Sequence, residues 1–553
     1  MLRPLLCLGA LACCSEIVAR DAIEWELCDA YSVYAPEPGE LADRTRCGLL
    51  TVPRDYNDPT AGAMRITVVR VTARDTAHRR GAIILNPGGP GAPNGLEFAM
   101  TTQQSWDRHD DPLLVEAANT YDFIGFLPRG TGIVEPTALT PESEGALRCT
   151  STRPDVPYED PNEDRTQGNV ARMHASAEFT AQTCESQPMS RYVDTEMTVR
   201  DIDAIREVLG ESRISFYGVS YGTWLASWYA ARYPDRIDRL VLDSAMNITQ
   251  DFDVARLAQA PETQAIIDDL VIPLAISRPE VFGLGDSPDA VRATFEAMPH
   301  VLKKSVREFL EVQLAQGNVR EAGFVLSMGN DIGRIASHHP EADADTLVDL
   351  AKNYYRHEAP PELGAFATFM VPNVVYPAYS LPTADTFDLG VSDSINEAVA
   401  CNDTQAIRDP TYWTRKGDSY AALYRMASGG AMTHRPCMYW TRHAASRPSP
   451  GDYARIPRAL ILQTEHDSRT PLPGAMSTYG ALPNAAMVVL PGTTGHGVIA
   501  RGNACSFGKI GNYLIHDRLP EGLSECRGSA IGNERLERLV EQATRSPRSS
   551  RVR

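Results

Sequence analysis

Ile214-Ser215-Phe216-Tyr217-Gly218-Val219-Ser220-Tyr221-Gly222 decides how this chain reads. Its first four residues are apolar and β-prone. Its last five spell G-x-S-x-G, and residues 223–233, closed by Pro234, are rich in small and apolar side chains suited to a helix. A strand that turns sharply into a helix lifts the middle serine out of the backbone. The flanking glycines allow close approach where a Cβ would collide. The helix N-terminus beneath the hydroxyl favours negative charge. The pentapeptide alone is common; strand before and helix after make Ser220 a candidate nucleophile.

Around this stretch lie other short apolar runs bounded by turn residues. Ala82-Ile83-Ile84-Leu85, Tyr121-Asp122-Phe123-Ile124-Gly125-Phe126 and Leu240-Val241-Leu242 alternate with helical stretches, among them residues 198–209 with Val199, Ile202, Ile205 and Val208 on one face. That alternation predicts buried parallel strands in βαβ units. Residues 64–71 predict a further strand within an extended N-terminal portion. After Asp243 the pattern turns helical, with stretches at 290–314 and 343–355. Strands resume with Ala459-Leu460-Ile461-Leu462 and Met487-Val488-Val489-Leu490, and the chain from 519 onward reads as loop and terminal helix. The expected organisation is a signal peptide at 1–20, an N-terminal extension and the first part of an α/β core at 21–246, a helical cap or lid at 247–455, and the second part of the core at 456–553. The fold class is α/β, a mostly parallel sheet flanked by helices with a large helical cap insertion.

The 553 residues are 43% hydrophobic and 22% charged, as in globular proteins, and carry a formal net charge of −18. Such a balance argues against a general nucleic-acid binder, which needs a basic footprint. The basic, Ser-rich run 545–553 reads as a frayed tail. Arg3, the apolar run 5–14 and Ala10-Leu11-Ala12 read as an export signal, too short to span a bilayer. Cys13 is an alternative point of lipid attachment, although Ala10 stands where a leucine is usual. No other stretch is long and apolar enough for a transmembrane segment.

Of the eleven cysteines, Cys7, Cys13 and Cys14 fall in the signal. The remaining eight form sequence-local couples, Cys28 with Cys47, Cys149 with Cys184, Cys401 with Cys437, and Cys505 with Cys526. Local pairing into four disulfides fits a protein outside the reducing cytosol. No C-x-x-C occurs and no His/Cys cluster has ligand spacing, so neither metal nor cofactor is implied. Asn247-Ile248-Thr249 and Asn402-Asp403-Thr404 are glycosylation sequons, relevant only in a eukaryotic secretory host.

A serine hydroxyl needs an adjacent base, itself oriented by a third group. On α/β scaffolds with this serine elbow the order is Ser, acid, His, each on a loop after a strand. The resumed strands lead into Gln463-Thr464-Glu465-His466-Asp467-Ser468-Arg469-Thr470-Pro471 and Gly492-Thr493-Thr494-Gly495-His496-Gly497. His496 is the candidate base and His466 its rival. Asp467 is the candidate acid, with Glu465 and Asp243 as alternatives; Asp243 also reads as a capping carboxylate. For an oxyanion hole, one donor is the backbone N–H of Tyr221. The other comes from the turn Asn86-Pro87-Gly88-Gly89-Pro90-Gly91, Gly89 first and Gly88 second.

These stretches, with Pro128-Arg129-Gly130, Tyr233-Pro234, Val241-Leu242-Asp243, Thr470-Pro471, Cys401-Asn402-Asp403, residues 437–440, Cys505, Tyr513-Leu514 and Cys526, resemble the secreted tripeptidyl aminopeptidase group of α/β-hydrolases, related to the prolyl aminopeptidases. The resemblance implies an α/β-hydrolase fold and a serine hydrolase using Ser220, Asp467 and His496. It also implies that short peptides or residues are removed from free N-termini. Leu127 departs from the aspartate usual before Pro-Arg-Gly, and 247–395 departs throughout. The implied partner is a peptide with a free N-terminus or, in a carboxylesterase or lipase with the same machinery, a small ester. A non-catalytic binding protein on the same scaffold would have lost one of the three residues. Glu262, Asp268 and Asp269 are candidates to hold a substrate ammonium.

Overall fold

The computed structural model describes residues 23–28, 40–132, 145–152, 164–379, 386–427, 435–442 and 444–527. The expected signal at 1–20 with Cys7, Cys13 and Cys14, and the basic tail 545–553, lie outside the described residues.

Ten strands form one sheet: β1 (Glu26–Leu27), β2 (Thr45–Pro53), β3 (Ala63–Val71), β4 (Gly81–Asn86), β5 (Tyr121–Phe126), β6 (Ile214–Val219), β7 (Ile237–Asp243), β8 (Ala459–His466), β9 (Ala485–Thr494) and β10 (Leu523–Glu525). Their order is β1-β2-β3-β5-β4-β6-β7-β8-β9-β10. The first three pairings are antiparallel, and every pairing from β5 to β10 is parallel. The parallel strands carry unbroken apolar runs because both faces are covered. Alternate residues serve the two faces: Ile84, Ile124, Phe216, Leu242 and Ile461 enter one core. Ile83, Phe123, Tyr217, Val241 and Leu462 enter the other. β10 lies within the stretch expected to be loop; three residues, with Leu523 and Ser524 opposite Met487 and Val488, are too short for a periodic signal.

Register aligns the carboxyl ends of the central strands. Asn86 pairs with Gly218, Gly218 with Leu242, and Leu242 with Ile461. Loops leaving these ends therefore emerge together, where open parallel sheets present their ligands.

Between β7 and β8 the regular elements of the described chain are helices, apart from the short strand Phe387–Asp388, which pairs with Thr150–Ser151. The expected single stretch 290–314 is two helices, Pro288–Ala297 and His300–Ala315, separated at Met298-Pro299, because proline cannot continue the hydrogen-bond ladder of the first. The insertion has its own core, including Phe282, Leu302, Leu310, Phe324 and Val371.

Arg129 of the Pro-Arg-Gly motif is wholly buried and pairs bidentately with Asp201, at 2.8 and 2.6 Å. Nη1 donates to the carbonyls of Arg54 and Tyr192, and Nη2 donates also to that of Pro53. The motif thus ties the antiparallel edge to the helix Thr195–Val208. Leu127, the departure before it, is fully buried in the second core.

The four local cysteine couples are bonded, Cys28–Cys47, Cys149–Cys184, Cys401–Cys437 and Cys505–Cys526. Asn402 of the second sequon is buried, with Nδ2 donating to the carbonyls of Ser190 and Val193, and is closed to modification. Among the described residues no helix is long and apolar enough to cross a membrane.

Candidate active site

Ser220 sits between β6 and the helix Tyr221–Arg232 with φ 60° and ψ −126°, a conformation rare for any residue with a side chain. The flanking glycines make that turn feasible. A Cβ on Gly218 would stand 2.2 Å from the carbonyl oxygen of Gly222, and one on Gly222 would stand 2.4 Å from that of Asn86. The following helix is buried from Tyr221 to Ala231, which is why its apolar residues cover all its sides. Its first N–H, on Tyr221, belongs to the donors that a helix leaves without an intrahelical partner.

Asp467 directly follows β8 and is fully buried. Its oxygens accept from the backbone N–H groups of Arg469 and Thr470, both at 2.9 Å, and from Thr470 Oγ1 at 3.0 Å. Gln463 braces the same loop, donating to the Thr470 carbonyl at 2.9 Å. His496, just beyond β9, places Nδ1 at 3.0 and 2.9 Å from the two Asp467 oxygens. Burial pushes the Asp467 carboxyl up, but the imidazole and the two N–H donors outweigh it and hold the group below its ordinary range. An ionised Asp467 selects the tautomer with the proton on Nδ1, leaving Nε2 as an acceptor.

The loop carrying His496 is fixed from several sides. Its N–H donates to the Ala315 carbonyl at 2.8 Å, and Arg501 donates to its carbonyl at 2.6 Å. Ser244 Oγ receives Gly497 N–H at 2.8 Å, while the Asp243 carboxylate receives Val498 and Ile499 N–H at 2.6 and 2.8 Å and the Tyr217 hydroxyl at 2.9 Å. Asp243 therefore caps the short helix behind the histidine. Burial drives its carboxyl up to about 6, against the pull of those donors. Glu465 accepts from Gly492 N–H at 2.7 Å, and His466 lies within β8, in register with Thr494 of β9.

Ser220 and His496 line one cavity of about 600 Å³, together with Gly89, Thr470, Met246 and Phe252. Gly88 N–H is taken by Asn86 Oδ1 at 3.0 Å, whereas Gly89 lines the cavity. Glu262, Asp268 and Asp269 do not line it: Glu262 is buried, Asp268 pairs with Arg292 at 3.0 Å, and Asp269 faces solvent. The charged side chains on its wall, beside His496, are Arg256 and Arg469.

Residues 81–278 match the family described as alpha/beta hydrolase fold, and 424–526 match that described as TAP-like protein. The chain has the α/β-hydrolase fold. Over 509 residues it is 28% identical to tripeptidyl aminopeptidase of Streptomyces lividans, covering 90% of this chain and 86% of that one. It is 23% identical over 535 residues to serine protease Hip1 of Mycobacterium tuberculosis, covering 94% and 93%. It is 25% identical over 494 residues to carboxylesterase B of the same organism, covering 87% and 86%. This hydrolase is homologous to the first two proteins and is an enzyme of the serine-hydrolase class.

Sequence reasoning passed over two groups beside the site. Thr470 Oγ1 lies 3.3 Å from His496 Nδ1, and within Thr470-Pro471 it carries no sequence signal of its own. Asp403, buried, accepts from Thr195 N–H at 3.1 Å and Trp224 Nε1 at 3.2 Å, and Thr195 Oγ1 lies 2.8 Å from the Tyr221 hydroxyl. The run Cys401-Asn402-Asp403 was its signal.

Proposed function

We propose that the protein is an exported serine aminopeptidase that releases short peptides, tripeptides among them, from free N-termini. The observation that carries the reading is the pairing of His496 Nδ1 with buried Asp467 in the cavity that Ser220 enters from a strained elbow.

Ser220 Oγ attacks the scissile carbonyl carbon while its proton passes to His496 Nε2. The carbonyl oxygen takes the negative charge, facing the N–H groups of Tyr221 and Gly89. As the tetrahedral intermediate collapses, the C–N bond breaks and His496 returns the proton to the leaving amine. Water, deprotonated by the same nitrogen, then cleaves the Ser220 ester. Asp467 keeps the imidazole in the required tautomer and stabilises its protonated form. Four disulfides support export, since such bonds persist outside the reducing cytosol.

A carboxylesterase reading of the same triad is favoured by one observation: among the described residues, no carboxylate lines the cavity to receive an ammonium group. The test compares a tripeptidyl anilide with a free N-terminus, its acetylated twin and a short-chain ester. The aminopeptidase reading expects cleavage of the free peptide and little of the acetylated one. Equal cleavage of both overturns it, and turnover of the ester alone selects the esterase.

A further inference from the structure

Arg256 lies on the wall of the cavity that holds Ser220 and His496. It belongs to the insertion, in a segment whose neighbours Phe252, Ala255 and Gln259 line the same space. Gln259 Nε2 donates to the Arg469 carbonyl at 2.8 Å, which ties this wall to the loop of Asp467.

The guanidinium is partly buried and has one hydrogen bond within the protein, from Nη1 to the neutral Asn396 Oδ1 at 3.1 Å. Among the described residues no carboxylate approaches within the 4.0 Å of an ion pair. The exposed Asp393 feels its charge from farther away. The other cations nearby are already matched. Arg435, whose charge opposes that of Arg256, pairs with Asp253, and Arg469 has Glu311 at 3.6 Å. Among the described residues Arg256 is thus a cation without an ion-pair partner, half-buried on the wall of the cavity that Ser220 also lines, with Nε and Nη2 not engaged by a hydrogen bond. A planar fork of this kind matches a carboxylate bidentately.

We propose that Arg256 sets the specificity of the site by receiving a carboxylate of the substrate. That carboxylate is either an acidic side chain next to the scissile bond or the C-terminus of a short peptide. The proposal rests on the assignment of Ser220 and His496 to one active site, and it adds the chemical class of the substrate.

Two substrate arms separate the sources. One compares tripeptidyl anilides ending in Glu, Gln and Lys; the other compares short peptides with a free C-terminus and their C-terminal amides. At least one arm should show kcat/KM for the carboxylate about 10–100-fold above the neutral partner, the range of a charge-assisted hydrogen bond. In Arg256→Gln that ratio should fall to near one, and Arg256→Lys should recover part of it. A binding measurement keeps this apart from the chemistry: calorimetry on Ser220→Ala compares Ala-Ala-Glu-amide with Ala-Ala-Gln-amide for the side-chain source and Ala-Ala-Ala with its C-terminal amide for the other, and the preference for the carboxylate found in at least one pair should be lost in Ser220→Ala/Arg256→Gln. A wild type indifferent to the carboxylate in both arms, or a preference that survives Arg256→Gln, overturns the proposal. Undiminished turnover by Ser220→Ala overturns the mechanism and leaves the binding result to stand alone.

Discussion

The backbone N–H of Ser220 donates to the carbonyl oxygen of Asp243 at 3.0 Å, and the Asp243 side chain holds the helix that follows His496. One residue at the end of β7 thus links the elbow of the serine to the loop of the histidine. Asp243 acts as a positioning residue, and its carboxylate does not face the cavity. Asp243→Asn keeps one acceptor oxygen and turns an N–H toward an N–H donor. We expect kcat to fall about 10–100-fold with KM little changed, from the loss of a charged hydrogen-bond acceptor. Steady-state kinetics on the free tripeptidyl anilide check this. An unchanged kcat would remove Asp243 from the account.

Asp467→Asn should lower kcat by about 10⁴, because an amide cannot hold the Nδ1–H tautomer of His496. His496→Ala should cost at least as much. Both variants should fold, as followed by thermal melting. A His496→Ala enzyme with near-normal turnover would transfer the base to another histidine, His466 first.

Asp403 gives a stability prediction with a definite sign. Burial, and then the nearby Asp194 carboxylate, push Asp403 up to about 7, while an unfolded aspartate titrates near ~3.9. The folded state holds this proton more tightly, so its contribution to stability is full below about pH 4 and is lost as pH rises to about 7. The whole difference is on the order of 4 kcal/mol. Asp403→Asn cannot ionise, so its Tm should fall less than that of the wild type between pH 4 and 7. Parallel Tm profiles would contradict the buried, protonated Asp403.

Arg129→Met should destabilise the protein by about 3–5 kcal/mol, since it strands Asp201 in the core without its partner. Denaturant unfolding measures this, and the double variant Arg129→Met/Asp201→Leu should recover much of the loss. A single variant as stable as the wild type would show that the Pro-Arg-Gly motif does not anchor the antiparallel edge.

The parallel sheet was legible because its strands are buried on both faces and carry unbroken apolar runs, as in Ile83-Ile84-Leu85 and Leu460-Ile461-Leu462. The sharp turn at Ser220 is legible because it demands glycines at fixed offsets, and the loops that bring Asp467 and His496 together because each follows a short apolar strand. The strand Leu523–Glu525 was not, since three residues carry no period. The break at Met298-Pro299 was masked by helix formers on both sides. Of the acidic residues of the insertion expected to hold an ammonium group, Asp268 is engaged by Arg292, and Glu262 is buried and does not line the cavity. Arg256 had no local signal: its meaning comes from the absence of a nearby carboxylate among the described residues, which only the folded arrangement reveals. Asp243 reads as a cap from its place after a strand, but the helix it caps lies more than two hundred positions further on, behind His496, which no local pattern shows.

Reaction with a fluorophosphonate, followed by peptide mass mapping, tests the central claim most directly. The account predicts one adduct per chain, on Ser220, with no labelling of Ser220→Ala and strongly slowed labelling of His496→Ala. Labelling of Ser220→Ala, or a wild type that does not react, would contradict it.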